Sequence, residues 1–132
     1  GLRHCQVRHA DMYQLPFPSA SMDVVLIHQV LHYAESPAEV LAEAARALRP
    51  GGRLVVVDFA PHLLESLREH HAHRRLGFAD DEVAQWLRAA GLQPRPPLHL
   101  YGDPLTVVIW LADRPPPSIN QVATSTPTGN AP

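Results

Sequence analysis

The sequence is poor in the residues that usually announce chemistry. It has a single cysteine, Cys5, in 132 residues. One thiol cannot close an internal disulfide or build a thiolate zinc site. A reducing, cytoplasmic setting is therefore expected. Lysine is absent: all 11 basic residues are arginines, scattered among 13 acidic ones. No basic face points to nucleic acid. No apolar run reaches membrane length, and no signal peptide is legible. Glycine is scarce, and the only pair, Gly51-Gly52, precedes a strand-like run. A phosphate-cradling loop must instead follow a strand and open a helix. With neither G-x-G-x-x-G nor G-x-x-x-x-G-K present, a P-loop enzyme is excluded for this stretch and a dinucleotide oxidoreductase is unsupported. The missing G-x-S-x-G elbow disfavours an α/β-hydrolase.

The residues that are present follow a clear pattern. Residues 4–8 read as a short strand with Cys5 and Val7 on one face. Pro16, Pro18 and Ser19 make a loop. Residues 22–27 (MDVVLI) form a β-branched apolar run suited to a strand buried on both faces. "HQVLHYAE" reads as a loop with a helical turn. Ser36, Pro37 and Glu39 then suggest a helix start with a capping box. Val40, Leu41, Ala44, Ala45 and Leu48 share one face of that helix, and "RPGG" stops it. A second buried-strand run follows at 53–59. Strand, helix and strand in this order make a βαβ unit with parallel strands.

Further on, Leu63, Leu64 and Leu67 line a second helix begun at Pro61. A third carries Val83, Trp86, Leu87 and Ala90 and ends at Gly91-Leu92. Its start has two readings. Phe78 and Val83 form a hydrophobic staple if Ala79 is the cap, but Asp80 caps better by residue type. Two antiparallel strands, near 95–100 and 105–111, flank the turn "YGDP". The fold class is α/β. Residues 1–112 are expected to form the domain, and 113–132 a disordered Pro-rich tail.

Ligands of open parallel sheets bind beyond the carboxyl ends of the strands. Asp11 follows the first strand, His28 and Gln29 the second, and Asp58 the third. Each apolar run thus stops at a polar side chain on one rim. Asp58 serves equally well as a turn residue. Asp11 lies beside the hydrophobic loop "LPFP". It suits either an exocyclic amine such as that of adenine, or a plain Asx-turn.

There are nine histidines. His70 and His71 fall seven residues after Leu63 and Leu64, on the buried face of their helix. Being adjacent, they point apart and do not make the i, i+4 pair a metal site needs, so no metal site is assigned. They read as pocket residues able to act as a base near neutral pH, or as partly buried structural histidines.

The stretch "HADMYQLPFPSASMDVVLIHQVLHYAESPAEVLAEAARALRPGGRLVVVDF" resembles class I S-adenosylmethionine (SAM)-dependent methyltransferases. The resemblance spans residues 2–112. It rests on an Asp before an "LPF" loop, an "LHH"-like segment, "LRPGG" and an apolar strand. The quinone-biosynthesis group looks close. Closer still are the methyltransferase halves of ArsR-type regulator fusions, on "HAHRRLGF" before an acidic helix start.

The resemblance implies a Rossmann-like methyltransferase fold, truncated: a parallel βαβ unit, then helices and a C-terminal antiparallel hairpin. It implies S-adenosylmethionine as cofactor and a small-molecule methyl acceptor. By position, Asp11 meets the adenine amine and the Met12 backbone meets the ring. His28 and Gln29 lie near the methionine part, and His32 and Tyr33 border the reacting methyl. His70, His71, His73 and Arg74 face the acceptor, with His71 joining His32 and Tyr33 as a catalytic candidate. In-line displacement at an activated sulfonium needs alignment more than a nucleophilic side chain, in keeping with the absence of a triad.

The family's first strand, its glycine-rich loop and the ribose-binding acid are missing, so the chain reads as the C-terminal part of a longer enzyme. Alone it is expected to be inactive and to bind SAM weakly or not at all. In the full fold two strands separate the first strand here from the Met22 strand. Without them it flops, pairs with another chain in a homodimer, or takes the vacated edge beside the Met22 strand. The Met22, Leu54, Leu105 and Arg95 strands should lie side by side in that order. Two alternatives stand: a non-catalytic effector-binding half of an ArsR-type regulator, touching nucleic acid only through an upstream winged helix, and a histidine-based metal binder. No membrane partner is expected.

Overall fold

The computed structural model describes residues 1–62, 76–102 and 104–116. The expected helix around Leu63, Leu64 and Leu67 and the tail beyond residue 116 lie outside the described residues.

Six strands form one mixed sheet: β1 (His4–Gln6), β2 (Met22–His28), β3 (Leu48–Phe59), β4 (Gln93–Pro94), β5 (Leu98–Leu100) and β6 (Val107–Asp113). The order is β1-β2-β3-β6-β4, with β5 also on β6. β1, β2 and β3 are parallel neighbours, and β6 runs antiparallel to β3, β4 and β5. The expected order from the Met22 strand outward is therefore found. β1 takes the third of its three options, the edge beside β2.

Helix α1 (Pro37–Ala47) crosses from β2 to β3, and helix α2 (Asp80–Ala89) lies against it. Val40, Leu41, Ala44 and Ala47 of α1 and Val83 and Leu87 of α2 are buried. Beneath them lie Val25, Ile27, Leu54, Val56, Val108, Trp110 and Ala112, all buried. The opposite sheet face, with Val24, Leu26, Val55, Val57, Ile109 and Leu111, is only half-buried. The Met22 strand is thus closed on one face rather than both. Among the described residues, both helices cover the same side.

One helix start differs from expectation, and the other takes the first of its two readings. Ser36 stands at the N-cap position of α1, with Pro37 in the first turn, but its side chain makes no capping hydrogen bond and no capping box forms. Its backbone N–H donates instead to the Tyr13 hydroxyl at 2.9 Å. α2 starts from Ala79 in extended conformation, so Asp80 is the first helical residue and not the cap. The Asp80 carboxylate accepts from Trp110 Nε1 at 2.9 Å and pairs with His99 Nε2 at 2.7 Å. Tying the helix to β5 and β6 takes precedence over local capping. Phe78 is buried and packs edge-on to Trp86 and Trp110, with centroids 5.9 and 6.4 Å away.

"RPGG" also does more than stop a helix. α1 ends at Ala47, and Leu48 already pairs with Met22 before the register shifts to Val24–Arg53. Gly51 sits at φ +87° within that irregularity. Its N–H donates to the Arg114 carbonyl at 2.7 Å, and Arg114 N–H donates to Gly52 at 2.9 Å. No helix among the described residues is long and apolar enough to cross a membrane.

Candidate active site

Because β1, β2 and β3 run parallel, their carboxyl ends open on one rim. Three loops meet there. The first is a 3₁₀ turn over His9–Asp11. Asp11 Oδ1 accepts the Arg8 N–H at 3.1 Å, and the Arg8 guanidinium lies 3.4 Å from Oδ2. The carboxylate therefore reaches backward to Arg8, in place of the forward Asx-turn. Its side chain stays 21% exposed. A carboxylate offers about four lone-pair sites, so accepting capacity remains for a further N–H donor. Met12 packs its side chain into the core, which leaves only its backbone to meet a ligand.

The loop beyond Met12 is latched to α1. Glu43 accepts the Leu15 N–H at 2.7 Å and holds the Arg46 guanidinium at 2.7 Å. The Arg46 hydrogen bond keeps the Glu43 carboxyl below the usual range, against an opposing effect of burial. This latch buries Leu15 and packs Phe17 against the core. "LPF" thus serves to seat the loop that carries Asp11.

At the second strand end His28 is exposed. Gln29 takes φ +55°, and its N–H donates to the Val57 carbonyl at 2.7 Å. That bond turns the chain off β2 into a second 3₁₀ turn, Leu31–Tyr33. The turn puts His32 on the third strand end. His32 is 3% exposed and Asp58 fully buried. Asp58 Oδ1 lies 2.8 Å from His32 Nδ1, and Oδ2 accepts the His32 N–H at 3.2 Å. Oδ1 also accepts the Phe59 N–H at 2.9 Å. A carboxylate only accepts, so Nδ1 carries the hydrogen. Burying this carboxylate is tolerable because its oxygens are met by donors from the Leu31–Tyr33 turn and from the end of β3.

Aromatic rings continue along the rim. His9 stacks on Tyr33 at 4.8 Å, Tyr33 tilts against His32 at 4.4 Å, and His32 stacks on Phe59 at 5.6 Å. His62 meets Phe59 edge-on at 5.8 Å. Of the residues singled out from sequence, Asp11, His28, Gln29, His32, Tyr33 and Asp58 all stand at these three strand ends. His32 and Asp58 are joined directly, and Asp11 is bonded within its own turn. His70, His71, His73 and Arg74 lie outside the described residues. His9, Phe59 and His62 were not anticipated as part of the row. The His9–Tyr33 and His32–Phe59 contacts join segments far apart in sequence, and His62 enters the row through Phe59, three residues before it.

The parallel part of this mixed sheet gathers at its strand ends an acid, a His–Gln pair and a buried Asp–His couple, on a Rossmann-like frame. Residues 1–56 match the model of a methyltransferase domain. Over this stretch the chain is similar to S-adenosylmethionine-dependent methyltransferases. It is 40% identical over 94 residues to 27-O-demethylrifamycin SV methyltransferase of Amycolatopsis mediterranei, covering 65% of this chain and 35% of that protein. It is 33% identical over 100 residues to a probable S-adenosylmethionine-dependent methyltransferase of Mycolicibacterium smegmatis, covering 72% of this chain and 38% of that one. The chain thus spans little more than a third of the length of these relatives. In fold it is similar to geranyl diphosphate C-methyltransferase from Streptomyces coelicolor, solved with Mg²⁺, geranyl diphosphate and S-adenosyl-L-homocysteine. The TM-score is 0.66 at 15% identity, covering 78% of this chain and 50% of that one.

Proposed function

We propose that the protein transfers a methyl group from S-adenosylmethionine to a small-molecule acceptor at the rim shared by β1, β2 and β3. The observation that carries this reading is the convergence of Asp11, His28, Gln29 and the His32–Asp58 couple on one rim, in a chain whose first 56 residues match a methyltransferase domain. The residues present suit the cosubstrate: Asp11 keeps accepting capacity beyond its bonds to Arg8, and a carboxylate there suits the adenine amine. The Met12 backbone would meet the purine ring, and His28 and Gln29 the methionine end. When bound, SAM supplies a methyl already activated by the sulfonium.

The chain's own part is alignment. Asp58 fixes His32 and, through it, the turn carrying Tyr33, so both border the transferring methyl. His71 completes the proposed catalytic set. A homodimer is also proposed, supported by the edge position of β1 and its exposed neighbour Leu2. A reducing cytoplasm suits the lone, unpaired Cys5.

Calorimetric titration of the intact protein with SAM and S-adenosylhomocysteine tests the reading. Binding of both is expected, and binding of neither would sink it. Asp11→Ala is expected to weaken SAM by roughly 1–3 kcal/mol, the cost of leaving a buried amine unpaired. An unchanged dissociation constant would remove Asp11 from the site.

A further inference from the structure

A second cleft lies at the amino ends of the parallel strands, the end of the sheet opposite the rim. It measures about 440 Å³, within the size range of small-ligand pockets. Ala42 and Ala45 of α1 and Ala90 after α2 form its apolar walls, and Ser19, Arg46 and Arg114 supply its polar side chains. Among the described residues no carboxylate lines it. Arg114 follows β6, and its Nη1 donates to the Ala45 and Leu48 carbonyls. That uses both Nη1 hydrogens. The Nε–H and both Nη2 hydrogens meet no acceptor among the described residues, and no acid there pairs with the charge. Arg46 is engaged more fully. Glu43 takes Nε and Nη2, Leu15 accepts the other Nη2 hydrogen, and Ser19 Oγ accepts from Nη1 at 3.1 Å. The second Nη1 hydrogen is left over, and Ser19 keeps its own hydroxyl hydrogen to donate. Carbonyls at the end of α1 would repel an anion, but they are covered: the Arg46 and Ala47 carbonyls accept from the Ala20 and Ser21 N–H groups at 2.8 and 2.9 Å.

We propose that this cleft binds a small aliphatic carboxylate, gripped by the Arg114 guanidinium with the Arg46 Nη1–H and the Ser19 hydroxyl adding to it. The inference is independent of the methyl-transfer reading. The Nε–H and one Nη2–H of a guanidinium form a planar fork that matches the two oxygens of a carboxylate. Those are the hydrogens Arg114 leaves unused. The charge on offer suits a monoanion: Glu43 neutralises Arg46 at 2.7 Å, so only Arg114 lacks a counter-charge in the cleft. A dianionic phosphate would keep an excess negative charge there. The walls of Ala42, Ala45 and Ala90 present methyl groups, which suit a short alkyl chain taken out of water.

Butyrate is the probe, with butyramide as its uncharged counterpart and inorganic phosphate as the competing anion. Each is titrated at constant ionic strength into the isotope-labelled full chain and followed by NMR. Butyrate is expected to shift the Arg114 Nε–H and the Ala20 and Gly91 amide signals saturably. Butyramide should leave them in place, and phosphate should bind more weakly. Arg114→Gln removes the fork and should weaken butyrate about tenfold or more. That change also takes a donor from the end of α1. Ala42→Leu is therefore the second variant: Ala42 is exposed, so a leucine there narrows the cleft without entering the core. It should weaken butyrate by a similar factor with the circular dichroism spectrum unchanged. No saturable shift with butyrate, an equal response to butyramide, or phosphate binding as tightly as butyrate overturns the inference. So does an unchanged butyrate affinity in Ala42→Leu or in a folded Arg114→Gln. SAM binding bears on none of these outcomes, so this inference and the methyl-transfer reading stand or fall separately.

Discussion

At the scale of single residues, Asp58 is the group on which the rim depends. Its two oxygens meet the His32 ring, the His32 backbone and the Phe59 backbone, with no exposure of its own. Removing the acceptor leaves these donors buried without it, at about 1–3 kcal/mol for an unsatisfied group. Asp58→Ala is therefore expected to lower unfolding stability by about 1–3 kcal/mol in urea titrations. The same variant should disorder the Leu31–Tyr33 turn, seen as loss of the His32 ring signal by NMR; a variant as stable as wild type would contradict the wiring. Sequence placed Asp58 on the rim but left a turn role equally open. Its partner is 26 positions away, and no local pattern links the two. Asp11 shows the reverse: its position after a strand was legible, while its bonds to Arg8 depend on the turn the backbone takes.

At the scale of elements, two glycines separate what backbone geometry requires from what packing requires. Gly51 at φ +87° has nothing within 4 Å of an added Cβ. Gly77 at φ +91° would drive one to 2.0 Å from the Ala60 oxygen. Gly51→Ala is expected to cost about 1–2 kcal/mol, the left-handed penalty alone. Gly77→Ala adds a collision with backbone and should cost distinctly more, with the β3 exit displaced. Equal denaturation midpoints for the two variants would refute the distinction. Helix α1 was legible from "SPAE" and its apolar spacing, because an amphipathic face is a local property. Its N-cap position at Ser36 was legible too, but not the hydrogen bonding there: the Ser36 N–H finds Tyr13, 23 positions earlier. The start of α2 likewise yields to tertiary contacts of Asp80 with His99 and Trp110.

At the scale of the whole molecule, β6 joins β3 to β4 and β5, and Asp113 ties its far end to two neighbours. The carboxylate meets Arg53 Nε at 2.8 Å from β3 and Arg95 Nε at 2.5 Å from the β4–β5 connection. The Arg53 hydrogen bond, with Arg95 adding to it and burial opposing, holds the Asp113 carboxyl below its ordinary range. A lowered folded pKa means the unfolded chain binds the proton first as pH falls. The contribution to stability is therefore complete above the ordinary carboxylate range near pH 4 and lost as pH drops through the folded value. Asp113→Asn should lower the urea midpoint at pH 7, and the gap from wild type should close toward pH 3. A gap independent of pH would show that the pair adds nothing. Added salt should narrow the gap too, since the arginines are about half exposed.

The sequence by itself determined the parallel β2–α1–β3 unit, the antiparallel hairpin closing the sheet and the rim on which polar residues gather. Each follows from local periodicity, from turn chemistry or from the rule that parallel strands share a carboxyl end. The place of β1 was left among three options, because three residues carry too little pattern to choose a neighbour. Only the tertiary structure set β1 beside β2, left one sheet face half-open, coupled His32 to Asp58 and brought His9, Phe59 and His62 into one row of rings. The β1–β2, His32–Asp58, His9–Tyr33 and His32–Phe59 contacts join residues far apart in the chain, where geometry is decided by how whole elements pack and not by the order of neighbouring side chains.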